Sequence, residues 1–252
     1  MKVNLSLAAV GFAFTTVSSA ALAAPILPDA SGFGALPVAT FGGSGIPNNA
    51  VAQTTFNGVT LGLTATPRFS SPSVTNDGAG TFTAHLGEDT VNPTASSPLA
   101  LWNFNYYIGQ QTSTNPLNYF NYRLFYDFSP TLANDQTTHG FINIPGVLSA
   151  TQAVQGSENL GANFLAVTNA LIGLTAPPGA TLTSFNPSAP GEYSFKLAAY
   201  RPTINGLSVN LYGQEVFNTS MVVGVVPAPA EWAAFLLGLA AMGVVARRKP
   251  LR

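Results

Sequence analysis

The sequence predicts an all-β protein in which two antiparallel sheets pack as a β-sandwich of the jelly-roll or immunoglobulin-like type. Charged residues make up only 8% of the 252-residue chain, whereas glycine and proline are frequent, with 24 and 19 residues. This composition favours short strands and turns over long helices with charged faces. Between two terminal segments, about 200 residues remain, which suits one large all-β domain.

The first 23 residues have the features of a secretory signal peptide. Lys2 supplies the positive start, an uncharged and mostly apolar run follows, and Ala21-Leu22-Ala23 forms an Ala-x-Ala site. We therefore expect signal peptidase to cut between Ala23 and Ala24. The alternative is an N-terminal anchor that is not cleaved.

The segment 24–50 predicts an extended N-terminal arm. It is rich in Pro, Gly and Ala and lacks a clear period, although 37–41 could add a first short strand. The arm is also the only candidate donor strand if the protein is a pilus-like subunit, an alternative that concentration-dependent assembly would reveal.

The predicted β-sandwich domain covers 51–226. Its first part, 51–66, is rich in Thr, Val and Leu in alternating positions, as expected of strands with one buried face. The glycine-rich stretch 76–80 predicts a turn, and 81–85 predicts the strand that follows it.

Two aromatic segments, 101–108 and 119–128, predict a hairpin closed by a long polar loop. Apolar residues of the second segment recur at every other position, which places them on one face of a strand. This expected core face consists of Phe120, Tyr122, Leu124, Tyr126 and Phe128.

The last part of the domain also predicts strands. The segment 161–174 is ambiguous between a helix and a pair of strands, and we favour strands. The segment 191–200 alternates cleanly, Asn205-Gly206 predicts a turn, and 207–212 and 215–226 predict two further strands.

The charge and the cysteine content exclude several functions. Between Ala24 and Val226 there are four basic and nine acidic residues, a charge of −5. A domain so poor in cations is unsuited to neutralise a phosphate backbone, so we expect no nucleic-acid partner. The absence of cysteine removes disulfides, thiolate metal ligands and cysteine nucleophiles.

No set of residues predicts a catalytic site. His85 and His139 are far apart and read as surface imidazoles, and a triad of His139 with Asp127 or Asp135 and a serine such as Ser129 lacks a supporting motif. A glycoside hydrolase needs a pair of carboxylates, but we interpret the four candidate acids as solvated loop residues. They are Glu88, Asp89, Glu158 and Glu192. We therefore predict a protein that is not an enzyme.

We expect no cofactor and no metal site. The loops at 76–78 and 88–90 carry oxygen ligands and leave Ca²⁺ as an alternative, although they lack the spaced acids of an EF-hand. Sugar rings stack on exposed aromatic side chains, and the candidates for such stacking are Trp102, Tyr106 and Tyr107. The alternative for these rings is a place in the core.

The tail, 227–252, predicts a membrane segment. The uncharged run 232–246 spans roughly 22 Å as a helix, most of a ~30 Å hydrocarbon core. A helix packed on the globular domain would usually have a polar face, and this run has none. Its large apolar members are Trp232, Phe235, Leu236, Leu237, Leu239, Val244 and Val245. The cations that follow predict a cytoplasmic stop; they include Arg247, Arg248 and Lys249.

The motif Val226-Pro227-Ala228-Pro229, the apolar helix and the basic end together resemble the PEP-CTERM sorting signal of exported proteins in Gram-negative bacteria. In that family the motif is Val-Pro-Glu-Pro or a close variant, and Ala228 replaces the glutamate. The resemblance implies recognition by an exosortase-like transpeptidase that removes the helix during sorting. It also implies a transient stay in the inner membrane and an association with exopolysaccharide.

The sequence thus predicts an exported protein of the cell surface or extracellular matrix, with the body outside the membrane. Its expected role is structural or adhesive, with exopolysaccharide as the expected ligand. The alternative is a secreted glycan or ester hydrolase that uses the same route.

Overall fold

The computed structural model describes residues 26–69, 71–92, 98–110, 119–131, 135–144 and 153–228. Most of these residues form β-strands, as the sequence predicts. The strands are β1 (Gly32–Gly34), β2 (Val51–Phe56), β3 (Val59–Pro67), β4 (Thr75–Asn76), β5 (Thr81–His85), β6 (Trp102–Gln110), β7 (Asn121–Tyr126), β8 (Gly140–Ile144), β9 (Val154–Glu158), β10 (Leu174–Thr175), β11 (Gly191–Asn205) and β12 (Ser208–Val226).

The strands form two sheets. A five-stranded sheet has the order β1-β2-β3-β6-β9, and a seven-stranded sheet has the order β10-β8-β7-β11-β12-β5-β4. All pairs are antiparallel except β5 with β12, which run parallel. The prediction of purely antiparallel sheets is therefore wrong at this pair. The two strands are far apart in sequence, so no short turn forces them to run in opposite directions.

The two sheets face each other across one hydrophobic core. The ring of Phe104 on β6 stacks on that of Phe195 on β11, with centroids 4.8 Å apart. Beside them, Trp102 packs against Tyr193 at 5.9 Å. The predicted core face of β7 is confirmed, because all five of its residues are buried; they are Phe120, Tyr122, Leu124, Tyr126 and Phe128.

The predicted hairpin between 101–108 and 119–128 is wrong. β6 pairs with β3 and β9 in the five-stranded sheet, whereas β7 pairs with β8 and β11 in the seven-stranded sheet. Both segments have an aromatic core face, and those faces line one core from opposite sheets instead of lying side by side. The long connection between them gives the chain enough length to change sheets.

The N-terminal segment packs against the five-stranded sheet. Its strand β1 lies at Gly32–Gly34, and not near 37–41 as predicted. Further along, Leu36 and Phe41 are buried with Tyr107 in a small second core on the outer face of the sheet. Gln155 Oε1 accepts hydrogen bonds from the backbone N–H groups of Thr40 and Phe41, at 2.9 and 2.7 Å. Residues 32–41 therefore pack against the sheet of their own chain.

The segment 161–174 forms two short 3₁₀ helices, Asn163–Ala166 and Ala170–Ile172, so the predicted pair of strands is wrong. The side chain of Asn169 accepts a hydrogen bond from the Leu171 N–H, which favours a helical turn over a strand. Gly173 then takes a positive φ of 69° and ends the turn.

β11 and β12 form one long hairpin whose outer end is exposed. The turn at Asn205-Gly206 is confirmed, and Gly206 has a φ of 60°. The segments predicted as two strands, 207–212 and 215–226, belong to the single strand β12, which continues through a register shift with β11 at 211–213.

The signal peptide, the membrane helix 232–246 and its basic tail lie outside the described residues. In the part of the chain that is described, no helix has the length and apolar character needed to cross a membrane.

Candidate functional site

The outer face of the five-stranded sheet carries a cleft of about 390 Å³, which we call the polar cleft. Its floor is formed by Thr66 on β3, Asn103 on β6 and Ser157 on β9, and its walls are Phe69 and the loop 43–47. These three strands are neighbours, and the floor residues occupy positions that alternate with the core residues. The period of two therefore places hydroxyl and amide groups together on the outside.

Hydrogen bonds hold the floor of the polar cleft in place. Asn103 Nδ2 donates to Ser157 Oγ at 3.3 Å, and Asn103 Oδ1 accepts from Asn159 Nδ2 at 2.9 Å. Thr66 Oγ1 accepts from Asn105 Nδ2 at 2.9 Å. The floor groups are neutral and are fixed by neighbours, so they are arranged before any ligand arrives.

Phe69 projects into solvent at the edge of the polar cleft. Its side chain is 69% exposed, and its backbone has a φ of 47°, in the left-handed region that a bulky residue rarely adopts. The guanidinium carbon of Arg68 lies 4.8 Å from the centre of the ring. A strained backbone that presents an exposed ring is an outlier of the kind found at ligand sites.

The buried carboxylate of Asp89 binds the side chain of Arg68. Arg68 Nε donates to Asp89 Oδ2 at 2.9 Å, and Asp89 Oδ1 accepts from the backbone N–H of Val91 at 3.1 Å and of Asn92 at 2.9 Å. Burial alone would raise the pKa of Asp89, but the hydrogen bonds from Asn92 and Arg68 outweigh it and lower the pKa below its usual value. The carboxylate is therefore ionised at neutral pH and orients Arg68.

The outer face of the seven-stranded sheet carries a buried polar trio formed by Asp127, His139 and Ser194. Their exposed fractions are 1%, 4% and 7%. Ser194 Oγ donates to Asp127 Oδ2 at 2.8 Å, and His139 Nε2 lies 2.9 Å from Ser194 Oγ. The reading of His139 as a surface imidazole is wrong, because β8 begins at the next residue and places the ring against β11.

The polar trio differs from the catalytic arrangement of the same residue types. His139 Nδ1 contacts the backbone carbonyl of Asp135 at 2.8 Å, whereas Asp127 Oδ2 lies 3.4 Å from Nε2, on the serine side of the ring. In a hydrolase triad the carboxylate binds Nδ1 and leaves Nε2 for the serine. The polar trio therefore lacks the geometry in which His139 would take a proton from Ser194 with a carboxylate behind it.

The middle of this outer face holds an ion pair. Lys196 Nζ lies 2.8 Å from a carboxylate oxygen of Glu215, and Tyr200 Oη donates to Glu215 Oε2 at 3.1 Å. Burial, followed by the charge of Glu215, raises the pKa of Tyr200 far above its usual range. Tyr200 therefore remains a neutral hydrogen-bond donor.

Arg123 lies beside the ion pair against several aromatic rings. Its guanidinium carbon is 4.1 Å from the ring centre of Phe141 and 4.4 Å from that of Tyr212. Arg123 Nε donates to Asn143 Oδ1 at 2.9 Å. Burial lowers the pKa of Arg123, and the hydroxyls of Tyr200 and Tyr212 oppose that shift.

The rings predicted to stack on sugars are placed mainly in the interior. Trp102 and Tyr107 are 2% and 3% exposed, so neither offers a ring face to a ligand, and the core alternative applies to both. Tyr106 is half-buried on the inner side of β6. Burial raises its pKa, and the charge of Glu158 raises it further.

Two of the acids considered for catalysis or Ca²⁺ binding, Asp77 and Asp89, are hydrogen-bonded to other groups of the protein. Asp77 Oδ1 accepts from the backbone N–H groups of Ala79 and Thr81, as in a turn, and Asp89 pairs with Arg68. Within the described ranges, no three His, Asp or Glu side chains gather as metal ligands would. His85 is half-buried on β5, and Ser129 bonds to Thr131.

Sequence reasoning missed Phe69, Ser194 and Arg123 as site residues. Ser194 and Arg123 sit at the outward positions of alternating strands, which the pattern marks only as polar or solvent-facing. Phe69 follows Pro67-Arg68 at a strand end, where the pattern gives no signal for its backbone conformation. Of the sorting motif, Val226, Pro227 and Ala228 lie in the described part, and Pro229 lies outside it.

Comparisons with protein-family models, curated proteins and solved structures found no match to this chain.

Proposed function

We propose that this chain is an exported protein of the cell surface or matrix, and that its β-sandwich binds a polysaccharide in the polar cleft. The observation that carries the proposal is the exposed ring of Phe69, set in a strained backbone beside a floor of amide and hydroxyl groups. Assignment of the body to the jelly-roll or immunoglobulin-like class is part of the proposal. Two sheets that share one core support it.

The chemistry of the polar cleft fits a neutral sugar. Sugar rings offer apolar C–H faces to aromatic side chains and hydroxyls to amides. None of the described residues that line the cleft is ionisable, and the cation near it, Arg68, is neutralised by Asp89. A volume of about 390 Å³ also falls within the range of small-ligand sites.

Glycan binding tests this function. We expect the full-length protein, kept in a polyoxyethylene detergent that carries no sugar, to bind a neutral polysaccharide on a glycan array. Phe69→Ala should weaken this binding about tenfold or more, because the stacking face is lost. The matched control is Phe164→Ala, which removes another exposed phenylalanine, 41% exposed, outside the cleft. Equal loss in both variants, or no glycan bound at all, would refute the proposal.

The sorting part of the proposal has its own support. β12 ends at Val226, whose carbonyl accepts from the Leu86 N–H at 3.0 Å, so the Pro227-Ala228-Pro229 motif begins where sheet pairing stops. Proline removes backbone donors and holds an extended chain, which a processing enzyme can reach. The resemblance of the tail to PEP-CTERM signals supports an exosortase-like transpeptidase as that enzyme.

Mass spectrometry of the protein from its own cells tests the sorting step. We expect a mature form that begins at Ala24 and has lost the apolar segment 232–246. Replacing Pro227 and Pro229 by alanine should leave an unprocessed precursor in the membrane fraction. Pro202→Ala, a change at an exposed proline of the β11–β12 hairpin, should be processed normally. A mature protein that keeps the tail would contradict the sorting proposal and leave the glycan test untouched.

A further inference from the structure

Arg123 is a cation without an acidic partner among the described residues. Arg68 and Lys196 each have a carboxylate oxygen within 2.9 Å, whereas Arg123 and Arg201 have none within salt-bridge distance in the part of the chain that the structure describes. The body as a whole is acidic, so the missing partner is not explained by a shortage of carboxylates. A half-buried arginine left unpaired in an acidic domain is suited to an anion from outside.

The surroundings of Arg123 fix its guanidinium and leave its terminal nitrogens open. Asn143 Oδ1 on β8 accepts a hydrogen bond from the Nε–H of Arg123. The ring centres of Phe141 and Tyr212 lie within 4.4 Å of the guanidinium carbon. Among the described residues, no acceptor is bonded to the terminal N–H groups. A planar cation held in this way loses little side-chain freedom when it binds.

The charge around Arg123 indicates a ligand with one negative charge. Lys196, the neighbouring cation on β11, is neutralised by Glu215 at 2.8 Å, so a single positive charge remains on this part of the face. A phosphate or a run of acidic peptide side chains would call for several cations. A lone carboxylate matches the fork of one arginine.

The neutral groups beside Arg123 indicate what carries the carboxylate. The amide of Asn143 and the hydroxyl of Tyr212 suit sugar hydroxyls, and the rings of Phe141 and Tyr212 suit sugar C–H groups. We propose that Arg123 binds the carboxylate of a uronic acid residue in an acidic polysaccharide. This second site lies on the outer face of the seven-stranded sheet, away from the polar cleft, and it goes beyond the proposed function.

A pair of ligands that differ only in charge tests this site. Oligogalacturonate and its methyl ester have the same sugar rings, but the ester has lost the carboxylate charge. We expect the full-length protein, in the same detergent, to bind the acid about tenfold or more tightly than the ester in isothermal titration. Binding of the acid should also weaken as salt is added.

Variants locate the site and separate it from the polar cleft. Arg123→Gln should abolish the preference for the acid, whereas Arg201→Gln, which removes an arginine stacked on Tyr119 and Phe120, should keep it. Phe69→Ala should bind the acid as the unaltered protein does, so failure of the polar cleft would not affect this result.

Three outcomes would overturn the inference. They are equal binding of acid and ester, loss of acid binding in Phe69→Ala, and binding of poly-glutamate as tight as that of the uronate. The comparison of acid with ester uses the unaltered protein, so it decides the matter even if Arg123→Gln does not fold.

Discussion

The outer faces of the two sheets hold their polar groups in different ways. On the five-stranded sheet the chain covers its own strands, with Phe41 packed on Tyr107, and the polar cleft that remains is lined by neutral groups. On the seven-stranded sheet the ion pair of Lys196 and Glu215 is held by polar side chains: Lys196 Nζ donates to Gln136 Oε1 at 3.1 Å, and Tyr200 donates to Glu215.

The difference shows two physical routes to a rigid outer face. Neutral amides need only hydrogen-bond partners, so a folded-back segment with one buried ring is enough to order them. A charged group that is removed from water needs an opposite charge or several hydrogen-bond partners. Without them, its burial lowers the stability of the folded protein. The seven-stranded face should therefore be the more sensitive to removal of a single partner.

The largest effect is expected in the polar trio. Asp127→Ala should lower the free energy of unfolding by about 3–5 kcal/mol, because it removes one partner of a buried pair and leaves the hydroxyl of Ser194 without its acceptor. Urea unfolding measures this change. Ser194→Ala should cost less, about 1–3 kcal/mol, since the carboxylate and the imidazole remain. A cost below about 1 kcal/mol for Asp127→Ala would show that the carboxylate does not stabilise the trio.

A smaller effect is expected where the five-stranded face is covered. Gln155→Ala should cost about 1–3 kcal/mol, because the backbone N–H groups of Thr40 and Phe41 lose their acceptor. Gln53→Ala on β2 is the matched control, since its side-chain amide makes no hydrogen bond within the described ranges. If both variants unfold at the same urea concentration, Gln155 does not hold the segment at Thr40 and Phe41 on the sheet.

The free energy of unfolding should depend on pH through the ion pair of Arg68 and Asp89, and not through the neutral floor of the polar cleft. The folded-state pKa of Asp89 lies below its unfolded value of about 3.9, so its contribution is complete above that pH and is lost as the pH falls through the folded pKa. The free energy of unfolding should decline below about pH 4, and Asp89→Asn should flatten part of this decline. Asp77 and Asp135, whose pKa values are also lowered by hydrogen bonds, should contribute to the slope that remains.

The smallest effect is expected at Tyr200. Tyr200→Phe removes one hydrogen bond to Glu215 and should cost about 0.5–1.5 kcal/mol in urea unfolding. Tyr119→Phe, at a ring that is 50% exposed, should be close to neutral. An equal cost for both would mean that the hydroxyl of Tyr200 adds nothing to the ion pair.

The sequence predicted the strands well where one face enters the core. The alternation in 119–128 and 191–200 places large side chains inside, and burial of Tyr122 and Phe195 confirms it. The predicted turns before Thr81 and at Gly206 are also confirmed, because their residue types suit the backbone that a turn requires.

The sheet arrangement and the sites depended on contacts that alternation does not specify. β6 and β7 each have an aromatic core face, which fits pairing side by side as well as packing across the core, and only the partners β3 and β11 decide between them. Likewise, Ser194 reads as a solvent-facing position until β8 brings His139 against it. Such long-range contacts leave no local signal.

The placement of the last strand has a mechanical consequence. Residues Val222–Val225 pair with β11 on one side and with β5 on the other, and the chain leaves the sheet after Val226. A force applied at Pro227 along the strand would therefore strain both rows of hydrogen bonds in shear, all at once, instead of peeling them apart one by one. A body tethered by its C-terminus would resist drag at the point where the tether begins.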